Sequence, residues 1–376
     1  MDNAATSWPK PESVLQEITA SIREYGANPG RGGHRMAIRA SEKVYECRQN
    51  LADLFGITDP LQIVFTSNAT ESLNIGLKGW LRPGDHVITT SLEHNAVART
   101  LFSLSRSGIQ WTPITCAADG SLDVSDIQNA IKKNTRMICT LHASNVTGTI
   151  MPIREIGRVA REAGIVFMVD SAQTAGDIPI DVAEDHIDIL AFTGHKGLLG
   201  PQGIGGLYIR PVIDLNPLKE GGTGSLSESF WQPDFLPDRY ESGTLNTPGI
   251  AGLNEGVKYI LQTGINNIRS HEKQLTAYML HGLQEIKNVK VYGTDDPDQR
   301  TGVLSITIKG KDCNEVCCEL DEKYEIAVRG GIHCAPLAHK IIGTASIGTI
   351  RFSIGVFNTM QDIDSALKAV QTIASM

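Results

Sequence analysis

From about residue 60 to 210, short runs of apolar and β-branched residues alternate with stretches whose apolar positions recur at helical spacing. The runs fall at 62–66, 86–90, 135–142, 165–170, 187–192 and 203–209. This rhythm predicts a largely parallel sheet with helices on its faces. Ile165-Val166-Phe167-Met168-Val169 has no polar residue at all, as expected of a strand covered on both sides. Polar residues follow such runs directly, at the C-terminal strand ends where open α/β sheets gather ligands. Beyond Pro248 the pattern becomes a long helical stretch interrupted near Gly264, then strands at 289–292, 303–308 and 350–354 with helices between them. That part reads as a smaller α+β domain. Thr359 and Asp362 have the spacing of a capping box, and Ile363, Leu367, Val370 and Ile373 form the inward stripe of the helix that follows.

Length and composition add limits. A chain of 376 residues exceeds the ~250–300 residues that one core serves, so two domains are expected. We place the larger at 16–255 and the smaller at 1–15 and 256–376. No apolar run approaches the ~18 residues of a membrane span, and Met1-Asp2-Asn3-Ala4-Ala5-Thr6 does not read as a secretory signal. A cytoplasmic protein without membrane contact is expected. The net charge of −8, with no cluster of Lys and Arg, argues against a nucleic-acid partner. Seven cysteines without a C-x-x-C ladder indicate neither a disulfide framework nor a metal site.

The most informative segment is Thr193-Gly194-His195-Lys196-Gly197, where a strand runs into a glycine-rich loop. A lysine amine with a depressed pKa is a nucleophile, and a cofactor aldehyde can hold it as an imine. Alone, such a segment is more often a solvated turn. Asp170 ends a buried strand about one βα unit earlier, where its carboxylate could pair with a pyridinium nitrogen or simply cap a helix. Thr66-Ser67-Asn68-Ala69-Thr70-Glu71 leads from a strand into a helix whose free amides, with the Thr70 hydroxyl, would hold a phosphate. His94 and Asn145 follow the next strands. The imidazole could lie over a ring or move a proton, and the amide could reach a ring oxygen or substrate; structural roles are the alternatives.

In this order the residues resemble the fold-type I, class V aminotransferase-like enzymes, and within them the cysteine desulfurases and selenocysteine lyases. The resemblance runs from Asp2-Asn3-Ala4-Ala5-Thr6 to Arg351-Phe352-Ser353 and Asn358-Thr359. It implies a fold-type I α/β architecture, with a mostly parallel seven-stranded sheet in the large domain, and pyridoxal 5'-phosphate as cofactor. Lys196 would carry that cofactor, Asp170 would face the pyridine nitrogen, His94 would stack on the ring, and Gln173 and Asn145 would lie beside it. Thr70, Thr193 and His195 would hold the phosphate, with Ala69 standing where many relatives have a second hydroxyl. Thr244 would reach the phosphate of a partner subunit, which implies a homodimer.

Arg329-Gly330-Gly331-Ile332-His333-Cys334-Ala335-Pro336 looks like the catalytic-cysteine loop of the group II desulfurases. Cys334 stands on a glycine-flanked turn beside His333, an environment that would favour thiolate. The other cysteines, Cys317 and Cys318 included, read as packing residues. Arg351 is expected to grip the substrate α-carboxylate, and Arg329 and His34, the latter in Asn28-Pro29-Gly30-Arg31-Gly32-Gly33-His34, are expected near the substrate. The resemblance thus implies conversion of L-cysteine to L-alanine, with the sulfur held on Cys334 as a persulfide and passed to an acceptor protein. A selenocysteine lyase, another carbon–sulfur lyase, and a cofactor-binding regulator or scaffold without turnover remain open. Only Met1 precedes Asp2, which leaves the order of the N-terminal stretch open.

Overall fold

The computed structural model describes residues 1–30 and 32–376. Seven strands form the larger sheet: β1 (Ile63–Thr66), β2 (His86–Thr90), β3 (Gln110–Ile114), β4 (Thr135–Leu141), β5 (Val166–Asp170), β6 (Ile189–Thr193) and β7 (Gly205–Ile209). Their spatial order is β1-β7-β6-β5-β4-β2-β3. Only β7 is reversed among them, pairing antiparallel with both β1 and β6, so the other six strands point the same way. Five of these strand ends, those of β1, β6, β5, β4 and β2, therefore open onto one edge. The expected strands are all present. β3 was not foreseen: its segment carries Pro113 and lies half-exposed at the sheet border, where proline is tolerated and the apolar signal is diluted.

Helices cover both faces, and the core splits accordingly into a cluster around Ile88, Ile138, Phe167 and Phe192 and a second around Val87, Met137, Met168 and Leu207. Alternate residues of one strand feed opposite clusters. The helix Ala69–Trp80 begins where Asn68 accepts the Glu71 amide, and it approaches β7 closely. A Cβ on Gly205 would stand 2.8 Å from the Asn68 Cα, so only glycine admits the turn between β1 and this helix.

The smaller sheet is antiparallel, in the order β10-β11-β9-β8, built from β8 (Val289–Tyr292), β9 (Val303–Ile308), β10 (Arg329–Gly331) and β11 (Thr349–Ser353). It packs against the helices Ile265–Glu285 and Met360–Ser375. The capping box at Thr359 and Asp362 is formed, and Gly264 breaks the long helical stretch at φ +83°. The N-terminal stretch is anchored to this sheet: Asp2 bridges Ser353 in parallel, and the Ser353 amide donates to the Met1 carbonyl. Among the described residues, no helix is long and apolar enough to cross a membrane.

One buried ion pair ties β1 to the rest. Arg48, on the helix Arg35–Phe55, meets both carboxylate oxygens of Glu241 at 2.6 and 2.7 Å and also donates to the Ile63 carbonyl; Glu241 accepts the Phe65 amide at 2.6 Å. Both side chains are buried. Removing one partner would strand the other charge, so Glu241→Ala is expected to cost about 3 kcal/mol in urea unfolding, whereas Lys323→Ala, which breaks an exposed pair with Glu319, leaves the midpoint unchanged.

Candidate active site

At the common edge of β1, β6, β5, β4 and β2 lies a cavity of about 240 Å³. Ala69, Thr70, His94, Asn145, Asp170, Gln173, Thr193, His195, Lys196, Arg329 and Arg351 all line it. Each side chain of the large sheet is delivered by the residue at, or just beyond, the end of its strand. The two arginines come from the small sheet, where Arg329 on β10 and Arg351 on β11 are direct cross-strand partners. The sheets therefore meet at this cavity.

Electrostatics divide it into regions. Burial lowers the Lys196 amine to about 8; Asp170 opposes that shift, while Arg351 and Arg329 add to it. At pH 7 about a tenth of such an amine is uncharged, far more than for an ordinary lysine, and the neutral form is what a nucleophile requires. Burial raises the Asp170 carboxyl, opposed by the Ala172 amide, which donates to Oδ1 at 2.9 Å, and by Lys196. Burial, then Lys196 and the nearby arginines, hold His94 at about 4. Its Nδ1 accepts the Ala96 amide at 3.1 Å, so the imidazole is neutral and carries its proton on Nε2. Gln173 Nε2 donates to the Ala4 carbonyl at 3.2 Å.

The Cys334 loop lies beside the cavity on the small-sheet side; Cys334 does not line it but touches Arg329, which does. His333 and Cys334 occupy the left-handed region consecutively, at φ +48° and +59°, a conformation that non-glycine residues keep only where contacts enforce it. Those contacts are present: Asn145 Nδ2 donates to the His333 carbonyl at 2.6 Å, the Asn95 amide donates to the Cys334 carbonyl at 2.8 Å, and Ala335 is buried in the core of the large sheet. The thiol is exposed, and Arg329 Nη2 donates to its Sγ at 3.3 Å.

Three expectations change here. His333 does not supply a cation to the thiol: it is buried against Thr349, and burial, followed by Arg351, depresses it to about 2. Arg329 fills that role. Asn145 spends its amide on the Cys334 loop, leaving its buried Oδ1 without a partner. Cys318 is exposed and Cys317 only partly buried, so neither is a full packing residue; Cys47, Cys116, Cys139 and Cys313 are buried as expected.

His34 and Thr244 do not line the cavity. His34 caps the helix Arg35–Phe55 from an exposed position, and Thr244 is exposed, accepting a hydrogen bond from Asn28 at 3.2 Å. Arg31, in the same loop as His34, lies outside the described residues. Sequence reasoning missed Asp2 as a member of the site. Its Oδ1 accepts Arg351 Nη2 at 2.8 Å, across 349 residues of chain.

The cavity lining has the donor set that pyridoxal phosphate requires. The buried Thr193 Oγ1 and His195 Nδ1 have no protein partner. The first amides of the helix Ala69–Trp80 have none within the helix, and the Asn68 side chain takes only that of Glu71. These donors suit a phosphate. Asp170, at the end of β5 and separated from β1 by β7 and β6, offers the carboxylate that a pyridine nitrogen needs, and Lys196 offers the amine for an aldehyde. The residues fit the group.

The model of the family described as Aminotransferase class-V matches residues 1–366. A protein of Methanothermobacter thermautotrophicus named "Probable cysteine desulfurase" is 34% identical over all of this chain and 94% of its own. The apo structure of a cysteine desulfurase from Thermococcus onnurineus superposes with a TM-score of 0.94 at 34% identity, over 100% of this chain and 94% of that one. A cysteine desulfurase of Escherichia coli, solved in an S-sulfonic acid form, gives 0.89 at 29% identity over the same shares. A match along nearly the whole chain, on top of a cavity built from the expected residues, places this protein in the class V aminotransferase family.

Proposed function

We propose that this protein is a pyridoxal-phosphate-dependent cysteine desulfurase that converts L-cysteine to L-alanine and takes the sulfur on Cys334 as a persulfide. The observation that carries this reading is the meeting of Lys196, Asp170 and Arg351 in one cavity with an exposed Cys334 thiol, hydrogen-bonded to cavity-lining Arg329. Members of the family use pyridoxal phosphate. When bound, that group supplies an electron sink for bonds breaking at the substrate amino acid. Thr193, His195, Thr70 and the amides at Ala69 and Thr70 would hold its phosphate, and Asp170 its ring nitrogen.

The rest follows from the chain's own groups. Arg351, buried and rich in donors, binds the substrate α-carboxylate. Lys196 takes the α-proton on Nζ; its pKa of about 8 suits both uptake and return of a proton near neutral pH. Arg329 Nη2 donates to Sγ of Cys334 and holds it in place; the sulfur reacts as its thiolate, the nucleophilic form. That thiolate attacks the substrate sulfur: the S–S bond forms, the carbon–sulfur bond breaks, and its electron pair stays with the carbon skeleton, which is protonated to alanine. His94, neutral and with its proton on Nε2, serves as a hydrogen-bond donor to the substrate; its low basicity leaves the proton traffic to Lys196. A homodimer is part of the reading, supported by Thr244, which is exposed and does not line the cavity of its own chain. An acceptor protein would take the sulfur from Cys334, whose exposure permits it.

Two outcomes are expected. The neutral amine is the form that captures an aldehyde, and burial places its pKa near 8. Capture of pyridoxal phosphate by the apoprotein, followed by stopped-flow absorbance, is therefore expected to accelerate as pH rises toward 8 and to level off above it. With L-cysteine, the Cys334→Ala variant is expected to lose alanine release on the order of 10²-fold or more and to carry no persulfide in peptide mass spectra. Alanine release at the wild-type rate would remove Cys334 from the reaction, and a strong preference for selenocysteine in the parallel assay would shift the substrate.

A further inference from the structure

The guanidinium of Arg351 is partly engaged before any substrate arrives. Nη2 donates to Asp2 at 2.8 Å and Nη1 to the Asn145 carbonyl at 3.3 Å, while the buried Nε–H has no partner. The group carries more donors than these bonds consume, so a carboxylate can still be received in bidentate fashion. Directly across the strand pair stands Arg329, a like charge. Among the described residues, Asp2 is the carboxylate that forms an ion pair with either arginine.

Asp2 is not placed to come and go. Its backbone bridges Ser353, its carbonyl accepts the amides of Ala5 and Thr6, and the Ala4 amide donates to the Ser353 hydroxyl. A few residues on, Ser7 donates its amide to the His195 carbonyl and its hydroxyl to the Lys196 carbonyl at 2.8 Å. One short segment thus braces Arg351 at one end and the Lys196 loop at the other.

We propose that Asp2 is a positioning residue for amino-acid recognition: it holds the Arg351 guanidinium in a single orientation, leaving the unpartnered donors for the substrate α-carboxylate. The inference rests on Arg351 being the carboxylate anchor. The same contact could serve the opposite end, with the Asp2 carboxylate competing against the substrate, and the two differ in sign. A positioning carboxylate lowers KM; a competing one raises it.

The test uses the holoenzyme with Asp2→Ala, Asp2→Asn, Arg351→Ala and the Asp2→Ala/Arg351→Ala double variant. KM and kcat for L-cysteine are measured, together with the Kd of L-alanine by calorimetry. Asp2→Ala is expected to raise KM and Kd on the order of tenfold, with kcat changed by less than about threefold. Asp2→Asn keeps the acceptor oxygen and nearly the same shape but drops the charge, so it falls between, and it separates loss of charge from loss of local folding. In the Arg351→Ala background, Asp2→Ala is expected to change KM no further. An unchanged or lowered KM in Asp2→Ala, with KM raised in Arg351→Ala, overturns the role of Asp2 and leaves the carboxylate anchor standing. Additive effects in the double variant also overturn it, because Asp2 would then act elsewhere. An unchanged KM in Arg351→Ala removes the anchor itself and the inference with it.

Discussion

The site depends on an amine kept where its charge is disfavoured. Burial lowers Lys196 to about 8 while Asp170 pulls the other way, and neither effect is allowed to win outright. Full pairing with Asp170 would leave a permanent ammonium with no lone pair. Burial without Asp170 would leave the position proposed for the ring nitrogen without a counter-charge. The lining of the cavity extends this tension: Lys196, Arg329 and Arg351 stand against Asp170 and, behind Arg351, Asp2, with His94 and His195 held neutral by burial. Such a surplus of positive charge in a partly desolvated cleft is resolved by anions, and the phosphate and α-carboxylate of the proposed ligands are of the required sign.

The topology makes that arrangement inexpensive to assemble. Because only β7 is reversed, five strand ends converge on one edge, and each contributes polar side chains without disturbing the apolar runs behind them. The antiparallel pairing of β10 with β11 then places Arg329 and Arg351 side by side, one toward the Cys334 thiol and the other toward Asp2. The cysteine loop is fixed to the large sheet through Asn145 and Asn95. The groups proposed to bind the cofactor and to accept the sulfur are therefore held by the same contacts.

Much of this was legible in the sequence. Continuous apolar runs ending in Asp170 and Thr193 marked buried strands and the polar groups just beyond them, because a strand covered on both faces leaves no other pattern. The capping box at Thr359 and the break at Gly264 were legible for equally local reasons. What escaped was non-local or directional. β3 lies at the border of the sheet with Pro113 in it, so its alternation is weak. His333 is adjacent to Cys334 in sequence, yet its ring turns into the interior toward Thr349, and adjacency carries no information about side-chain direction. Asp2 finds Arg351 only after the small sheet has folded, and no spacing rule reaches across the whole chain.

The central claim is that Lys196 is the amine that binds the cofactor. Borohydride reduction of the holoprotein, followed by peptide mapping, tests it most directly. The pyridoxyl label is expected on the peptide containing Lys196, and a label on any other lysine, or none on this one, would contradict the account.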